Sequence, residues 1–329
     1  MPQDPNPSRR RWLRSASSLI AVTAASGWGA ALAQGSANTA QGARVLRIGY
    51  QKGWLSVLKN RGTLEQRLAP LGASVTWAEF SAGPVQLEAL NVGSIDFGNV
   101  GEAPPIFAQA AGAPLVYASA GNPNFKAEAV VVPAGSPIRS VADLKGKRIA
   151  YNKGSNVHYF LVKLLEKHGL QYGDVQSVFL PPADARAAFE KGSVDAWVIW
   201  DPFLAAAEKT LGARVLANGE GVVKNRQYYF SSREFATRHL DLLRIAVDEV
   251  NQIERWASKN PRAAAQELSR ILGLDPAVTE LYVGRMAYGT TPITSDILAE
   301  QQAIADTFHQ LKLIPKPLNL RHAAPVDLR

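Results

Sequence analysis

The sequence contains no cysteine among its 329 residues, which excludes disulfide bonds, thiolate metal sites and cysteine nucleophiles. It also lacks the phosphate-loop pattern GxxxxGK[ST], the metalloprotease pattern HExxH and the nucleophile elbow GxSxG. Its five histidines, at positions 158, 168, 239, 309 and 322, show no metal-ligand spacing. We therefore expect no catalytic residues, no metal site and no cofactor.

The sequence also has no concentrated excess of one charge, because its net charge of +8 is spread along the chain. Beyond the first 14 residues no run of basic residues occurs, which argues against a nucleic-acid partner but allows weak attraction of acidic ligands. No segment after the N-terminal region reaches the ~20 apolar residues of a membrane span, so we expect no stable membrane insertion. A hydrophobic content of 47% indicates an ordered globular protein of one large domain or two lobes.

The N-terminus has the layout of an export signal. Arg9, Arg10 and Arg11 precede a mildly apolar stretch, residues 15–31, and a small-residue cleavage site that ends at Ala33. We predict a signal peptide over residues 1–33, cleaved after about Ala33, and a flexible leader over residues 34–43. The paired arginines favour the twin-arginine route, with an ordinary Sec signal as the alternative. Without a cysteine to carry a lipid anchor, the exported protein is expected in the periplasm.

Strands and helices alternate along the rest of the chain. One αβ series, which includes a single predicted helix over residues 55–69, runs from residue 45 to 120, and a second runs from 129 to 216. Polar or Gly-rich breaks at residues 121–127 and 217–229 separate these series from each other and from a helical C-terminal third. We predict an α/β protein with lobe 1 over residues 44–124 and 230–329, and lobe 2 over residues 125–229. Two crossovers would form a hinge, with a cleft between the lobes.

Small, Gly-containing loops follow most predicted strands and open helices. A helix N-terminus carries free N–H groups and about half a positive charge, and glycine allows ligand oxygens to approach the backbone. Several such ends facing one cleft would bind an anion without a buried cation, and a sulfonate offers three acceptor oxygens. The alternative is that each loop is an ordinary capped βα connection. The loops begin at Gln51, Ser81, Gly101, Lys153 and Trp200.

Four side chains near these loops have two interpretations each. Asp201 either caps the following helix or pairs with a ligand amine, and both roles can coexist. Trp200 either stacks on the ligand or belongs to the core. Arg186 opposes the dipole of its helix, so it either forms a salt bridge or contacts the ligand. His158 is either a buried, hydrogen-bonded histidine or a side chain facing the cleft.

Several segments resemble the bacterial aliphatic-sulfonate-binding proteins of ABC importers. The resemblance spans roughly residues 45–325, and single motifs are shared with binders of nitrate, taurine and thiamine precursors. Its segments are Arg47-Ile48-Gly49-Tyr50-Gln51-Lys52-Gly53, residues 88–96, residues 104–110, residues 141–146, residues 182–189, and Val194-Asp195-Ala196-Trp197 with Ile199-Trp200-Asp201-Pro202.

The resemblance implies a two-lobed type II periplasmic-binding fold, with two mixed, mostly parallel sheets flanked by helices. It implies a monomer that captures aliphatic sulfonates and delivers them to an ABC permease and, through it, to the ATPase. Residues 99–102 and 154–158 depart mildly from the family pattern, which leaves taurine, nitrate, bicarbonate or a thiamine-pyrimidine precursor as alternative ligands. The ligand-facing positions implied by the family are Gln51, Gly83, Gly101, Glu102, Ser155, Asn156, Trp200 and Asp201.

An enzyme of the same fold, of the thiamine-pyrimidine type, is the alternative from a different functional class. The export signal and the absence of cysteine argue against it. If the loop at Gly83 contacts the anion, the substitution Gly83→Asp should abolish binding by placing a carboxylate in the site.

Overall fold

A computed structural model describes residues 44–323 of the chain. The predicted signal peptide, residues 1–33, and the predicted leader, residues 34–43, lie outside the described residues. The described part contains two β-sheets flanked by helices. Within it, no helix is both long and apolar enough to cross a membrane.

The chain builds the two sheets in three segments. The six-stranded sheet consists of β1 (Arg44–Tyr50), β2 (Ala73–Glu79), β3 (Phe97–Val100), β4 (Leu115–Gly121), β10 (Tyr228–Ser232) and β11 (Thr290–Thr291), in the order β11-β4-β10-β3-β1-β2. The five-stranded sheet consists of β5 (Glu128–Val132), β6 (Arg148–Tyr151), β7 (Gln176–Phe179), β8 (Ala196–Trp200) and β9 (Arg214–Asn218), in the order β7-β6-β8-β5-β9. The chain passes from one sheet to the other after β4 and returns after β9.

Helices follow most of the strands and cover the sheets. Their bounds are α1 (Trp54–Arg61), α2 (Thr63–Leu68), α3 (Gly83–Asn91), α4 (Pro104–Ala110), α5 (Asn156–Lys167), α6 (Pro182–Glu190), α7 (Phe203–Leu211), α8 (Arg233–Arg238), α9 (Leu240–Lys259), α10 (Pro261–Leu272), α11 (Pro276–Arg285) and α12 (Ser295–Gln310). The predicted single helix over residues 55–69 is wrong in one respect, because Gly62 ends α1 with a φ of +64° and α2 begins directly after it. That left-handed conformation suits glycine and terminates a helix.

Side chains alternate between the two faces of each sheet, so that each sheet supplies two hydrophobic cores. In β10, Tyr229 packs on the α1–α9 side, whereas Tyr228 and Phe230 pack on the α3–α12 side. In β5, Val130 and Val131 likewise belong to different clusters. This two-sided burial explains why the strands read as apolar runs in the sequence.

The pairing of strands is more mixed than the sequence suggests. Four of the nine pairings among the described strands are parallel, and five are antiparallel. In the six-stranded sheet the returning strand β10 inserts between β3 and β4 and runs against both. In the other sheet, β5 runs against β8 and β9 in the same way. The crossovers therefore place a reversed strand inside each sheet, which local sequence patterns cannot reveal.

Candidate functional site

A cavity of about 80 Å³ lies where the loops of the two sheets meet. Six of the eight positions that the resemblance implied line it, namely Gln51, Gly83, Gly101, Asn156, Trp200 and Asp201. The other lining residues are Lys52, Gly53, Trp54, Asn99, Pro104, Gly121, Asn122, Asn124, Ala127, Asn225, Gln227, Tyr229, Glu254, Tyr282, Met286 and Ala287. Both sheets and both crossover segments thus contribute to one cavity.

Helix N-termini converge on this cavity. Trp54, Gly83 and Asn156 are the first residues of α1, α3 and α5, and all three line it. Asp201 lines it two residues before α7 begins. The first-turn N–H groups of a helix have no intrahelical acceptor, and the helix dipole favours a negative charge beside them. The arrangement can therefore hold an anionic group with backbone donors from both sheets.

A set of side-chain amides covers the wall on the side of the six-stranded sheet. The Nε2 of Gln51 donates to Oε1 of Gln86 at 3.0 Å, and Gln86 in turn donates to the carbonyl of Gly49 at 2.8 Å. The Nδ2 of Asn99 donates to Oε1 of Gln227 at 3.2 Å. These bonds fix the orientation of Gln51 and Gln227, so that the wall presents fixed polar atoms to the cavity.

Asp201 connects the cavity to α7 and α11. Its Oδ1 accepts a hydrogen bond from the N–H of Ala205 in the first turn of α7 at 2.9 Å. The predicted N-cap position is wrong by one residue, because α7 begins at Phe203 and Pro202 is its N-cap residue. The same oxygen lies 3.3 Å from the guanidinium of Arg285, which also pairs with Glu208. Burial raises the pKa of Asp201 to about 7 even though Arg285 opposes this shift. The Oδ2 of Asp201 is buried without a hydrogen-bond partner among the described residues.

A second carboxyl group, that of Glu254, also lines the cavity. It accepts hydrogen bonds from the hydroxyl of Tyr229 at 2.8 Å and from the N–H of Gly289 at 2.6 Å. Burial raises its pKa above the ordinary value. Two acidic side chains therefore lie beside the helix N-termini, and the cavity has groups that can receive opposite charges at different points.

Trp200 lines both this cavity and a larger, more apolar one of about 330 Å³. The ring of Trp200 packs edge-on against Phe203, with centroids 6.2 Å apart. Gln51, Lys52 and Trp200 belong to both cavities, which makes the two compartments adjacent. The larger one is completed by Glu79, Phe80, Ser81, Pro182, Ala183 and Phe203. An apolar chain attached to a bound anion can extend into it.

Glu102 and Ser155 do not line either cavity. Both are almost fully buried, and the hydroxyl of Ser155 donates to the carbonyl of Asn152 at 2.7 Å. They lie beside the lining residues Gly101 and Asn156 in the chain, and those two neighbours form the cavity wall in their place. The difference arises because the two residues point into the protein behind their loops.

His158 and Arg186 take the first of their two interpretations. The Nδ1 of His158 accepts a hydrogen bond from the N–H of Gly154 at 3.2 Å, and its Nε2 lies 3.0 Å from the hydroxyl of Tyr172. Burial lowers the pKa of His158 to about 3, so the ring is neutral. Arg186 forms an ion pair with Glu190 at 2.7 Å on the surface of α6. Neither side chain lines the cavity.

Sequence reasoning missed several residues that line the cavity or contact its lining. Arg285 does not line the cavity but contacts Asp201 from 84 residues away, and no local pattern signals that contact. Asn124 comes from the first break and Asn225 and Gln227 come from the second, where the sequence pattern indicates only crossovers. The signal that could have found them is the asparagine-rich composition of those breaks, since crossovers between two sheets pass the cleft by necessity.

Comparison with known proteins assigns the chain to a family. Residues 74–264 match the family model described as NMT1/THI5 like. A protein of Escherichia coli strain K12 that is named for binding aliphatic sulfonates is 40% identical over 279 residues, which cover 84% of this chain and 87% of that protein. The structure is similar to that of the alkanesulfonate-binding protein SsuA from Xanthomonas axonopodis pv. citri bound to MOPS, with a TM-score of 0.82 and 43% identity over 85% of this chain and 97% of that one.

The fold also occurs in an enzyme. The desulfurization enzyme DSZB superposes with a TM-score of 0.62 at 17% identity, over 87% of this chain and 97% of that one. This likeness concerns the fold alone. The relatives at 40% identity or more described above are binding proteins.

Proposed function

The chain belongs to the NMT1/THI5-like family and to the aliphatic-sulfonate-binding proteins, and we propose that it is the periplasmic component of an ABC importer that captures aliphatic sulfonates. The single observation that carries this proposal is the cavity where the N-termini of α1, α3 and α5 meet. A sulfonate is a permanent anion with three acceptor oxygens, and several backbone donors from different elements can bind it together.

The apolar compartment beyond Trp200 supports an aliphatic tail. Each buried methylene contributes about 0.8 kcal/mol, or roughly a fourfold gain in affinity. The affinity should therefore rise from methanesulfonate to hexanesulfonate. The variant Trp200→Ala should reduce this gain per methylene, so that hexanesulfonate loses more affinity than methanesulfonate does.

The test of the ligand class uses isothermal titration with hexanesulfonate and with 1-hexanol in phosphate buffer. Sulfonate buffers are avoided, because the relative from Xanthomonas is bound to MOPS. We expect hexanesulfonate to bind and to raise the melting temperature, since a ligand that binds only the folded state stabilises it. 1-Hexanol, which lacks the anion, should do neither. Binding of the alcohol alone, or of no alkanesulfonate, would contradict the proposal.

One observation favours a second ligand class, the amino-sulfonates. Asp201 and Glu254 both line the cavity, and Oδ2 of Asp201 has no hydrogen-bond partner among the described residues. An ammonium group next to the sulfonate would pair with that oxygen. Taurine and ethanesulfonate have the same number of carbons, so the ratio of their affinities measures the contribution of the amine. A ratio above one favours the amino-sulfonates, and a ratio below one favours simple alkanesulfonates.

The proposal includes a cycle of capture and delivery. Lobe 1 (residues 44–124 and 230–329) and lobe 2 (residues 125–229) close on the ligand through the two crossovers, and the loaded monomer docks on an ABC permease coupled to an ATPase. The export signal is removed after about Ala33, which leaves the binding protein in the periplasm. No reaction is assigned to the site, so incubation with a bound sulfonate should return the same compound by mass spectrometry.

A further inference from the structure

Two buried glutamates, one from each sheet, lie near enough to each other beside the cavity for their charges to interact. Glu102 follows β3 of the six-stranded sheet, and Glu128 is the first residue of β5 in the five-stranded sheet. Their relative exposures are 3% and 0%. One oxygen of each, Oε1, has no hydrogen-bond partner among the described residues. Buried carboxyl groups with unused oxygens are costly, so the pair calls for a physical explanation.

Asn156, which lines the cavity, is hydrogen-bonded to Glu128 of the pair. The Nδ2 of Asn156 donates to Oε2 of Glu128 at 2.7 Å and to Oδ1 of Asn225 at 3.1 Å. Asn156 and Asn225 both line the cavity. On the other side, the N–H of Arg226 donates to Oε2 of Glu102 at 3.3 Å. Glu128 is thus one residue away from the cavity, and Glu102 directly follows the lining residue Gly101 in the chain.

The network also includes both crossovers. The Nδ2 of Asn225, in the second crossover, donates to the carbonyl of Asn124, in the first, at 3.0 Å. This bond to the carbonyl of Asn124 fixes the side chain of Asn225, whose Oδ1 accepts the hydrogen bond from Asn156. Hydrogen bonds therefore connect Glu128, through Asn156, to both segments that join the two sheets.

No side-chain cation among the described residues hydrogen-bonds or ion-pairs with either glutamate. The guanidinium of Arg226 pairs with Glu300 at 2.7 Å and donates to the carbonyl of Gly121, and its charge lowers the pKa of Glu102, although the effect of burial is larger. The carboxylate of Glu300 on α12 acts in the opposite direction and raises the pKa of Glu102. The hydroxyls of Tyr159 on α5 and Tyr228 on β10 stay neutral, because burial and the charge of Glu102 raise their pKa values. Two buried carboxylates with only this partial compensation repel each other.

Both groups consequently retain protons above the usual range for a carboxyl. Burial raises the pKa of Glu102 to about 8. Burial, and the charge of Glu102, raise the pKa of Glu128 well above its ordinary value. Because the two groups interact, they titrate as a pair and not as independent sites.

We propose that Glu102 and Glu128 form a proton-holding pair beneath the anion site, and that capture of the ligand's anionic group is coupled to a proton bound by this pair. With the pair protonated, the floor of the cavity is neutral and accepts the anion. When the pair ionises, its negative charge lies beside the cavity and opposes binding. This inference rests on the proposed function, because it requires that the cavity bind an anion.

Thermodynamic linkage between proton binding and ligand binding determines how the affinity changes with pH. A proton that binds more tightly in the loaded protein than in the empty one is taken up on binding, so the affinity falls as the pH rises. For one coupled proton, the dissociation constant rises at most about tenfold per pH unit. A sulfonate does not titrate in this range, and any dependence on pH therefore belongs to the protein.

The test measures the dissociation constant of hexanesulfonate from pH 6 to pH 9.5, and the protons taken up per ligand by calorimetry in phosphate and in Tris. We expect weaker binding above pH 8 and an uptake that approaches one proton there. In Glu128→Gln, which keeps an oxygen that can accept from Asn156, the rise in dissociation constant should fall to less than half of the wild-type rise. Glu190→Gln serves as the matched control, because it removes an exposed carboxyl of α6 that lines neither cavity, and it should keep the wild-type dependence. Asp201→Asn tests the competing carboxyl of raised pKa that lines the cavity; the rise in dissociation constant above pH 8 should persist in it.

Each result decides between defined alternatives. If Asp201→Asn flattens the dependence and Glu128→Gln does not, the coupled proton belongs to Asp201 and the proposal is wrong. If wild-type binding takes up no proton and does not change with pH, the proposal is also wrong, and this measurement does not depend on the folding of any variant. If no sulfonate binds at any pH, the proposed function fails first, and that outcome differs visibly from pH-independent binding.

Discussion

Asp201 shows how one side chain in this cavity serves two purposes. It accepts a hydrogen bond from the N–H of Ala205 in the first turn of α7, and it lines the cavity with an oxygen that has no partner among the described residues. Only the contact with the helix start could be predicted from the sequence, since an aspartate directly before the Pro202-Phe203 helix start is a local pattern. The ion pair with Arg285 could not, because it depends on how α11 packs against α7.

The raised pKa of Asp201 predicts how stability depends on pH. With a folded-state pKa of about 7 and an ordinary value near 4 in the unfolded chain, the folded protein holds a proton that the unfolded chain has lost between those values. The contribution of Asp201 to the free energy of unfolding is therefore complete at low pH and declines as the pH rises towards 7. Asp201→Asn should make the decline shallower by at most about 1.4 kcal/mol per pH unit.

Denaturant unfolding between pH 4.5 and 8.5 measures this slope. The asparagine keeps an oxygen for the N–H of Ala205, so this hydrogen bond is retained. Glu102, Glu128 and Glu254 also have raised pKa values and remain in the variant, so a part of the slope must persist. A variant with the full wild-type slope would show that Asp201 ionises normally in the folded protein.

Arg285 should contribute to stability through the same contact. Its guanidinium reaches Asp201 and Glu208, and its side chain is 15% exposed. Arg285→Ala should lower the free energy of unfolding by about 1.4 kcal/mol at pH 8, because the Asp201 carboxyl, whose pKa is about 7 beside Arg285, then takes up a proton instead of staying charged. At pH 5, where Asp201 is protonated, the loss should be smaller.

The control is Arg238→Ala, which removes an arginine from an exposed pair with Glu234 on α8. Pairs of that kind contribute well under about 1 kcal/mol. Equal losses for the two variants at pH 8 would mean that the Arg285 contact adds no more than a surface pair does.

At the scale of elements, the loops that begin the helices approach each other closely between the sheets. Gly101, after β3, faces Asn156, the first residue of α5. A Cβ at Gly101 would lie 2.8 Å from the Cβ of Asn156, which is closer than side chains tolerate. The glycine is required here for the contact across the cavity, and not for its backbone angles.

This contact provides a sharper test of the loops than the substitution at Gly83. A Cβ at Gly83 would lie 2.7 Å from Cγ of Pro104, so Gly83→Asp would disturb the packing of α3 on α4 as well as the anion site. Gly101→Ala instead separates a loop of the six-stranded sheet from a helix of the other sheet. We expect it to raise the dissociation constant for hexanesulfonate by about tenfold or more, since misplaced donors lose most of their hydrogen-bond energy.

Gly135→Ala is the matched control, because a Cβ there meets no atom within 4 Å. It should change neither the affinity nor the melting temperature appreciably. Wild-type affinity in a folded Gly101→Ala protein, measured by titration, would mean that the close approach of these two loops is not needed for binding.

The strands and helices could largely be predicted from sequence, and their arrangement only in part. Strands buried on two faces read as apolar runs, and Gly-Pro or Ser-Asn pairs mark the starts of α3 and α5. The insertion of β10 between β3 and β4 joins residues more than 100 positions apart, and nothing in the local pattern near Tyr228 selects those partners. The buried Glu128 was hidden for the same reason, because a glutamate at the edge of a predicted strand ordinarily faces water.

At the scale of the whole molecule, the two crossovers join the two sheets and also supply residues that line the cavity. Asn124 and Asn225 are hydrogen-bonded to each other and both line the cavity. A ligand that contacts these segments contacts the only two stretches of described chain that pass between the sheets. A ligand bound there therefore contacts the same segments that would bend if the two lobes moved relative to each other.

The proposed closure can be measured because the chain has no cysteine of its own. Glu88 on α3 and Ala187 on α6 are both exposed, and they belong to the proposed lobes 1 and 2. Spin labels on Glu88→Cys and Ala187→Cys report the distance between the lobes, while labels on Ser74→Cys and Glu88→Cys report a distance within lobe 1. Saturating hexanesulfonate should shorten and narrow the first distribution, because the ligand favours the state in which both sets of helix N-termini reach it. The second distribution should not change, since the six-stranded sheet moves as one body. If titration of the labelled protein shows full binding while both distributions stay the same, then the lobes do not close, and the anion enters a site whose two halves are already in place.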